Sequence, residues 1–156
     1  MKMDTLTTLL EQAEADRNQA LAAFNLTRAR CGAAREQAAQ LDAYRADYQQ
    51  RWAMQFARGA ALEIVRCYQG FSERLETAIA QQGHAVAQAQ AAQVRAGDTL
   101  TAHELRVASV RKLIERRAQA QRQVAAQREQ KADDEYAMRM ARDRAGIGFG
   151  SLGARA

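Results

Sequence analysis

The sequence predicts an all-α fold, a long two-helix antiparallel coiled-coil hairpin with an overhanging C-terminal helix end. Three observations predict it. The 156-residue chain has no proline and is dominated by Ala, Gln, Arg and Glu, so long helices are favoured and nothing interrupts them. Two heptad seams occur, one on each side of the segment "ARGAA" at 57–61. Folding the chain back at that segment pairs large seam residues with small ones, as close packing requires. Only 6% of residues are aromatic and much of the apolar content is alanine, so the core is expected to be thin and extended.

The first helix is expected from about residue 5 to 57. Asp4 or Thr5 is placed to cap it, and Thr8 with Glu11 has the spacing of a capping box. Its seam alternates by four and three through Leu6, Leu10, Ala13, Ala20, Phe24, Cys31, Ala34, Ala38, Leu41, Tyr48 and Trp52. Arg17, Thr27, Arg45 and Gln55 are the exceptions, so 11 of 15 slots are apolar and the pattern is a coiled-coil seam. The turn is expected at about 58–61, with Gly59 as the chain reversal.

The second helix is expected from about 61 to 143. Its seam runs through Val65, Tyr68, Leu75, Ile79, Val86, Ala89, Ala96, Leu100, Val107, Val110, Ile114 and Val124. Gly70, Gly83 and Gly97 lie inside it, each costing about 1 kcal/mol against alanine. "AGDT" at 96–99 offers a break point, with Asp98 or Thr99 as a new cap, but a continuous helix is the reading taken. Residues 1–144 thus form a single coiled-coil domain, and 145–156 read as a flexible Gly-rich tail, "AGIGFGSLGARA".

In the folded-back chain, facing seam positions have residue numbers adding to about 120. Phe24 meets Ala96, Ala20 meets Leu100, Ala13 meets Val107 and Leu6 meets Ile114, while Thr27 meets Gln93 and Arg17 meets His103. Mismatches remain at Arg45 opposite Leu75, with a stem long enough to snorkel, and at Gln82 opposite Ala38. Beyond Ile114 the first helix has run out, which leaves roughly 40 Å of the second helix without a partner. A lone helix of that length is marginal in water.

Charge is uneven along the chain. Residues 1–57 carry seven basic and seven acidic side chains, residues 58–110 five of each, and residues 111–156 eleven basic against six acidic, which holds the whole excess of +5. The basic cluster Arg111, Lys112, Arg116, Arg117, Arg122 and Arg128 lies at the start of the overhang. It reads as a solvated face, as a protein-docking segment, or as a nucleic-acid contact that neutralises phosphates. Against the last stand the lack of stacking aromatics up to Arg128 and the acidic run Asp133, Asp134, Glu135.

Catalysis is not expected. His84 and His103 lie 19 residues apart with no metal-site spacing, and no phosphate-binding loop is present. "GIGFG" lacks the strand and helix that would aim backbone amides at a phosphate. Neither metal nor cofactor is expected. Cys31 and Cys67 would lie about 33 Å apart along the hairpin, too far for a disulfide. No apolar run approaches the roughly 20 residues that span a bilayer, and the first ten residues do not resemble a signal peptide, so a cytosolic protein is expected.

Six of the nine aromatic residues fall between positions 44 and 71. Tyr48, Trp52 and Tyr68 occupy seam slots and are expected to enrich the core near the turn. Tyr44 and Phe71 lie one slot off the seam. The row Gln37, Leu41, Tyr44, Tyr48 and the row Phe71, Leu75, Ala78, Gln82 step alike, and in the hairpin they run side by side on one flank. The apolar stripe there is wider than two helices cover, which points to a partner site.

At these residues the sequence resembles the flagellar export protein FliJ family, of the soluble type III export machinery. The resemblance is carried by "CGAAREQAAQLDAYRADYQQRW" (31–52), "YQGFSERLETAIAQQ" (68–82) and "QKADDEYAMRMARDR" (130–144). It implies a two-helix stalk like that of rotary ATPases, located in the cytoplasm at the base of the flagellar export apparatus. The open end would enter the hexameric export ATPase and promote ring assembly, and the basic cluster of the overhang is assigned to that contact. A flank patch would bind the cytoplasmic part of the export gate membrane protein, and the chain would escort export chaperones. The patch carries over as Gln37, Leu41, Tyr44, Tyr48, Phe71, Leu75 and Ala78, with Gln82 standing where the pattern often has histidine. The competing readings are a basic coiled-coil nucleic-acid-binding protein and an injectisome stalk relative.

Overall fold

The computed structural model describes residues 2–152, with side chains as far as Ile147. Two helices account for nearly all of them: α1 (Met3–Ala57) and α2 (Leu62–Leu152), packed against each other as an all-α helical hairpin with no strand among the described residues. Between them, Arg58 and Gly59 close the last turn of α1 through amide bonds to the Gln55 and Phe56 carbonyls, at 3.2 and 3.0 Å. Gly59 then takes φ 84°, a left-handed conformation that other residues rarely adopt, and the chain reverses there. Ala61 opens α2 by accepting from the amides of Ile64 and Val65, and Glu63 places an acid in the first turn, where the helix dipole favours it.

The described residues group into two compact units, Glu11–Val107 and the pair of segments Met1–Leu10 with Ala108–Ala156. In the first unit the buried residues are Ala13, Ala20, Cys31, Leu75, Leu100 and Val107, and each is a seam position. α2 runs unbroken through "AGDT", and the Phe24 ring packs beside Gly97, where an added Cβ would sit 3.4 Å from the ring edge. In the second unit Leu6 and Val110 are buried, with Ile114 and Ala118 half-buried. From Gln119 to Ile147 every side chain is exposed, including Val124, Tyr136, Met138 and Met140. This is the stretch in which the seam alignment left α2 without a facing helix.

Three local features differ from the sequence reading. Thr8 does not close a capping box: its hydroxyl donates to the Asp4 carbonyl at 3.0 Å, from inside a helix that already starts at Met3. α2 does not stop near 143 but keeps helical backbone to Leu152, through Gly146, Gly148 and Gly150. Glycine weakens a helix, yet only proline would remove an amide donor from it. Residues 153–156 of the expected tail lie outside the described residues. Third, the rings near the turn do not make a sealed core, for between Cys31 and Leu75 no side chain is fully buried.

Candidate functional site

Heptad spacing brings Leu41, Tyr48 and Trp52 of α1 onto the seam, with Tyr68 and Leu75 of α2 opposite. Tyr44 precedes a seam slot on α1 and Phe71 precedes one on α2, so both rings emerge on the same flank. The Tyr48 and Phe71 centroids lie 4.6 Å apart, and Tyr44 meets Phe71 edge-on at 6.2 Å. Tyr48 stacks on Tyr68 at 5.5 Å and meets Trp52 at 6.0 Å, and Trp52 and Phe56 both contact Tyr68. All six rings between positions 44 and 71 therefore form one connected ladder, with separations in the range where aromatic pairs attract. Two helices are too slender to enclose it. Tyr48, Trp52, Tyr68 and Phe71 stay half-buried and Tyr44 is 50% exposed.

The two flank rows meet as their residue numbers require. Gln82 Nε2 donates to Gln37 Oε1 at 3.3 Å and to the Ala34 carbonyl at 2.9 Å. Leu75 is buried under the patch, while Leu41 and Ala78 are half-buried along it. A shallow groove opens at the far end, lined by Gln37, Gln40, Leu41, Tyr44 and Gln82. Gln40 was absent from the sequence reading, although it sits three residues from Gln37 and four from Tyr44, on the face they share. Arg45 was expected to snorkel into water. Its head group does lie at the surface, where Nη1 binds both carboxylate oxygens of Glu76 at 3.1 and 3.2 Å and Nη2 reaches Asp42 at 3.4 Å.

The chemistry of this surface is recognition: flat rings with phenol hydroxyls, a leucine floor and carboxamides at one end. Among the described residues no group of three or more His, Cys, Asp or Glu is placed to hold a metal ion, and no helix is long and apolar enough to cross a membrane. The second candidate region lies on α2 in the other unit. Arg111, Lys112, Arg116, Arg117, Arg122 and Arg128 are all exposed. At about 100° of rotation per residue they point to several sides of the helix rather than along one stripe.

The profile of the flagellar FliJ protein family matches residues 1–146. The chain belongs to the FliJ family. It is accordingly a component of the flagellar type III protein export apparatus, from a family that is non-catalytic. No curated protein and no solved structure matches the chain. Membership of the FliJ family fits the helical hairpin, and it bears out the resemblance carried by the three sequence stretches.

Proposed function

We propose that this FliJ-family chain links two parts of the export apparatus by contact alone. The ring ladder and its flank rows dock on the cytoplasmic part of the export gate membrane protein, and the exposed C-terminal portion of α2 enters the hexameric export ATPase. The observation that carries the first half is the incomplete enclosure of the ladder. Six touching rings with no fully buried side chain from 32 to 74 leave apolar area that a partner covers with gain. Leu41 and Ala78 extend this surface toward the carboxamide end, where Gln37 and Gln82 supply polar contacts that orient a partner.

The second half is supported by the exposed run 119–147 and by the distribution of basic side chains. Arg111, Lys112, Arg116, Arg117, Arg122 and Arg128 surround their helix, an arrangement suited to a socket lined with carboxylates. A DNA groove would be met best by a single basic face, so the nucleic-acid reading is the less supported one. Escort of export chaperones and promotion of ATPase ring assembly belong to the same proposal and rest on family membership. Flagellar rather than injectisome use has the same basis.

The experiment is stimulation of the purified export ATPase by the full chain and by a chain lacking residues 119–156. Loss of stimulation and of hexamer formation in the shortened chain is expected. Unchanged stimulation refutes the ATPase contact, and salt-sensitive binding of the full chain to any DNA duplex, mapped to 111–128, favours the rival reading.

A further inference from the structure

A seam built from alanines specifies axial register weakly, because one small residue replaces another after a slip of one heptad. In the Glu11–Val107 unit the seam contains Ala13, Ala20, Ala34 and Ala38 on α1, and Ala89 and Ala96 on α2. The turn at Gly59 sets the register at one end of the hairpin, and its hold weakens along the alanine-rich seam. The rings that cross between the helices hold the register close to the turn, but the alanine-rich seam beyond them needs a further hold.

We propose that Arg45 and Gln82, two polar misfits of the seam, are pins that fix this register and so position the docking rows. Both reach across to the other helix. Arg45 Nη1 bonds to both oxygens of Glu76, and Gln82 Nε2 bonds to the Ala34 carbonyl and to Gln37. Two other polar seam residues behave differently. Thr27 donates to the Phe24 carbonyl at 2.8 Å and Arg17 donates to Asn18, each within α1. Arg35 does reach Gln90 of α2 once the Gln90 amide is turned to face it, but that pair lies on the exposed flank outside the seam.

The placement of the pins suits the role. Asp42 and Glu76 each follow a seam leucine, whereas Tyr44 and Phe71 each precede a seam slot. The Arg45 ion pair therefore occupies the flank opposite the rings and leaves the ring flank uncovered. Gln82 sits at the end of the rows remote from the turn. A slip of one heptad would carry Phe71 about 10 Å from Tyr48 and would separate Arg45 from Glu76 and Gln82 from Gln37 together. A charge at a seam slot is a poor source of stability compared with leucine, and polar seam residues are best attested as selectors of register. For its functional consequence this inference rests on the docking surface proposed above, but its structural content does not.

The test uses spin labels at Ala39 and Ala102, both exposed and on opposite arms of the unit, in the full chain carrying Cys31→Ala and Cys67→Ser. In register the labels are offset by roughly 32 Å along the axis, and a one-heptad slip changes the offset by about 10 Å. The background chain should give one narrow distance. Arg45→Leu with Gln82→Leu should melt no lower, yet show a second distance displaced by about 10 Å, and should bind the purified cytoplasmic part of the export gate protein at least tenfold more weakly. Exchanging the charges, Arg45→Glu with Glu76→Arg, should keep the single distance. A single undisplaced distance in the double leucine variant overturns the inference, whether or not binding falls. If the unsubstituted chain does not bind the gate protein while the distances shift as expected, the docking proposal fails and the register assignment stands. Should the leucine variant not fold, Glu76→Ala with Gln82→Ala removes both contacts without adding bulk and carries the same two outcomes.

Discussion

Tyr44 and Tyr48 are one helical turn apart and both belong to the ladder, but truncating them should cost the fold unequally. Tyr44 is 50% exposed and meets two rings, Tyr48 and Phe71, each at a 6.2 Å centroid separation. Losing a half-covered ring with two long-range partners should cost the fold about 1–2 kcal/mol. Tyr48 meets four rings, Tyr44, Trp52, Tyr68 and Phe71, at 4.6 to 6.2 Å. Its removal should cost about 3–4 kcal/mol, the scale of large aromatic truncations. At roughly 2–4 °C per kcal/mol for a chain of this size, Tyr44→Ala should lower the melting temperature by about 3–6 °C and Tyr48→Ala by about 10 °C. At the gate, an exposed tyrosine at the centre of a docking surface should contribute at least about 2 kcal/mol, or roughly a 30-fold loss of affinity on truncation. Thermal unfolding followed by helical circular dichroism, with titration against the gate's cytoplasmic part, measures both quantities. The reasoning is refuted if Tyr44→Ala binds as tightly as the parent chain, or if it loses as much stability as Tyr48→Ala.

Three further outcomes are expected. Gly70→Ala with Gly83→Ala should stabilise α2 by about 2 kcal/mol, since a Cβ at either position meets nothing within 4 Å and alanine is the better helix former; denaturant unfolding checks this, and Gly59→Ala should instead destabilise, by about 1 kcal/mol, because of its positive φ. In timed thiol labelling of the native protein, exposed Cys67 should react at once, and buried Cys31 only as fast as the hairpin opens. Removing residues 119–156 should leave the melting temperature within a few degrees of the parent, because no described side chain from 119 to 147 is buried; a large fall would mean that this part of α2 supports the rest of the fold.

Much of this molecule was legible because a heptad is a statement about distance. Leu6, Ala13, Ala20, Cys31, Leu75, Leu100, Val107 and Val110 were all read as seam residues, and they are the buried ones. The pairing of Tyr48 with Phe71 and of Gln37 with Gln82 followed from residue numbers alone, given a turn at Gly59. The rest depended on quantities that periodicity does not contain. Whether Thr8 caps or bonds backward is decided by where the first helical turn starts, a difference of one or two residues. The pairing of Arg45 with Glu76 depends on a long side chain finding one carboxylate among several. How much of each ring remains uncovered follows from the width of two helices against the width of an indole or phenol, which a pattern of apolar letters does not express.

The lack of any sealed side chain between Cys31 and Leu75 has a thermal meaning. Backbone amides in this stretch are covered by no buried side chain of their own, so they should trade protons for deuterons sooner than those around Ala13, Ala20, Leu100 and Val107. A loosely covered part of the hairpin is then the part that carries its most adhesive side chains. A partner that closes over the rings supplies the missing wall, and its arrival would be visible as slowed deuteration across residues 41–75.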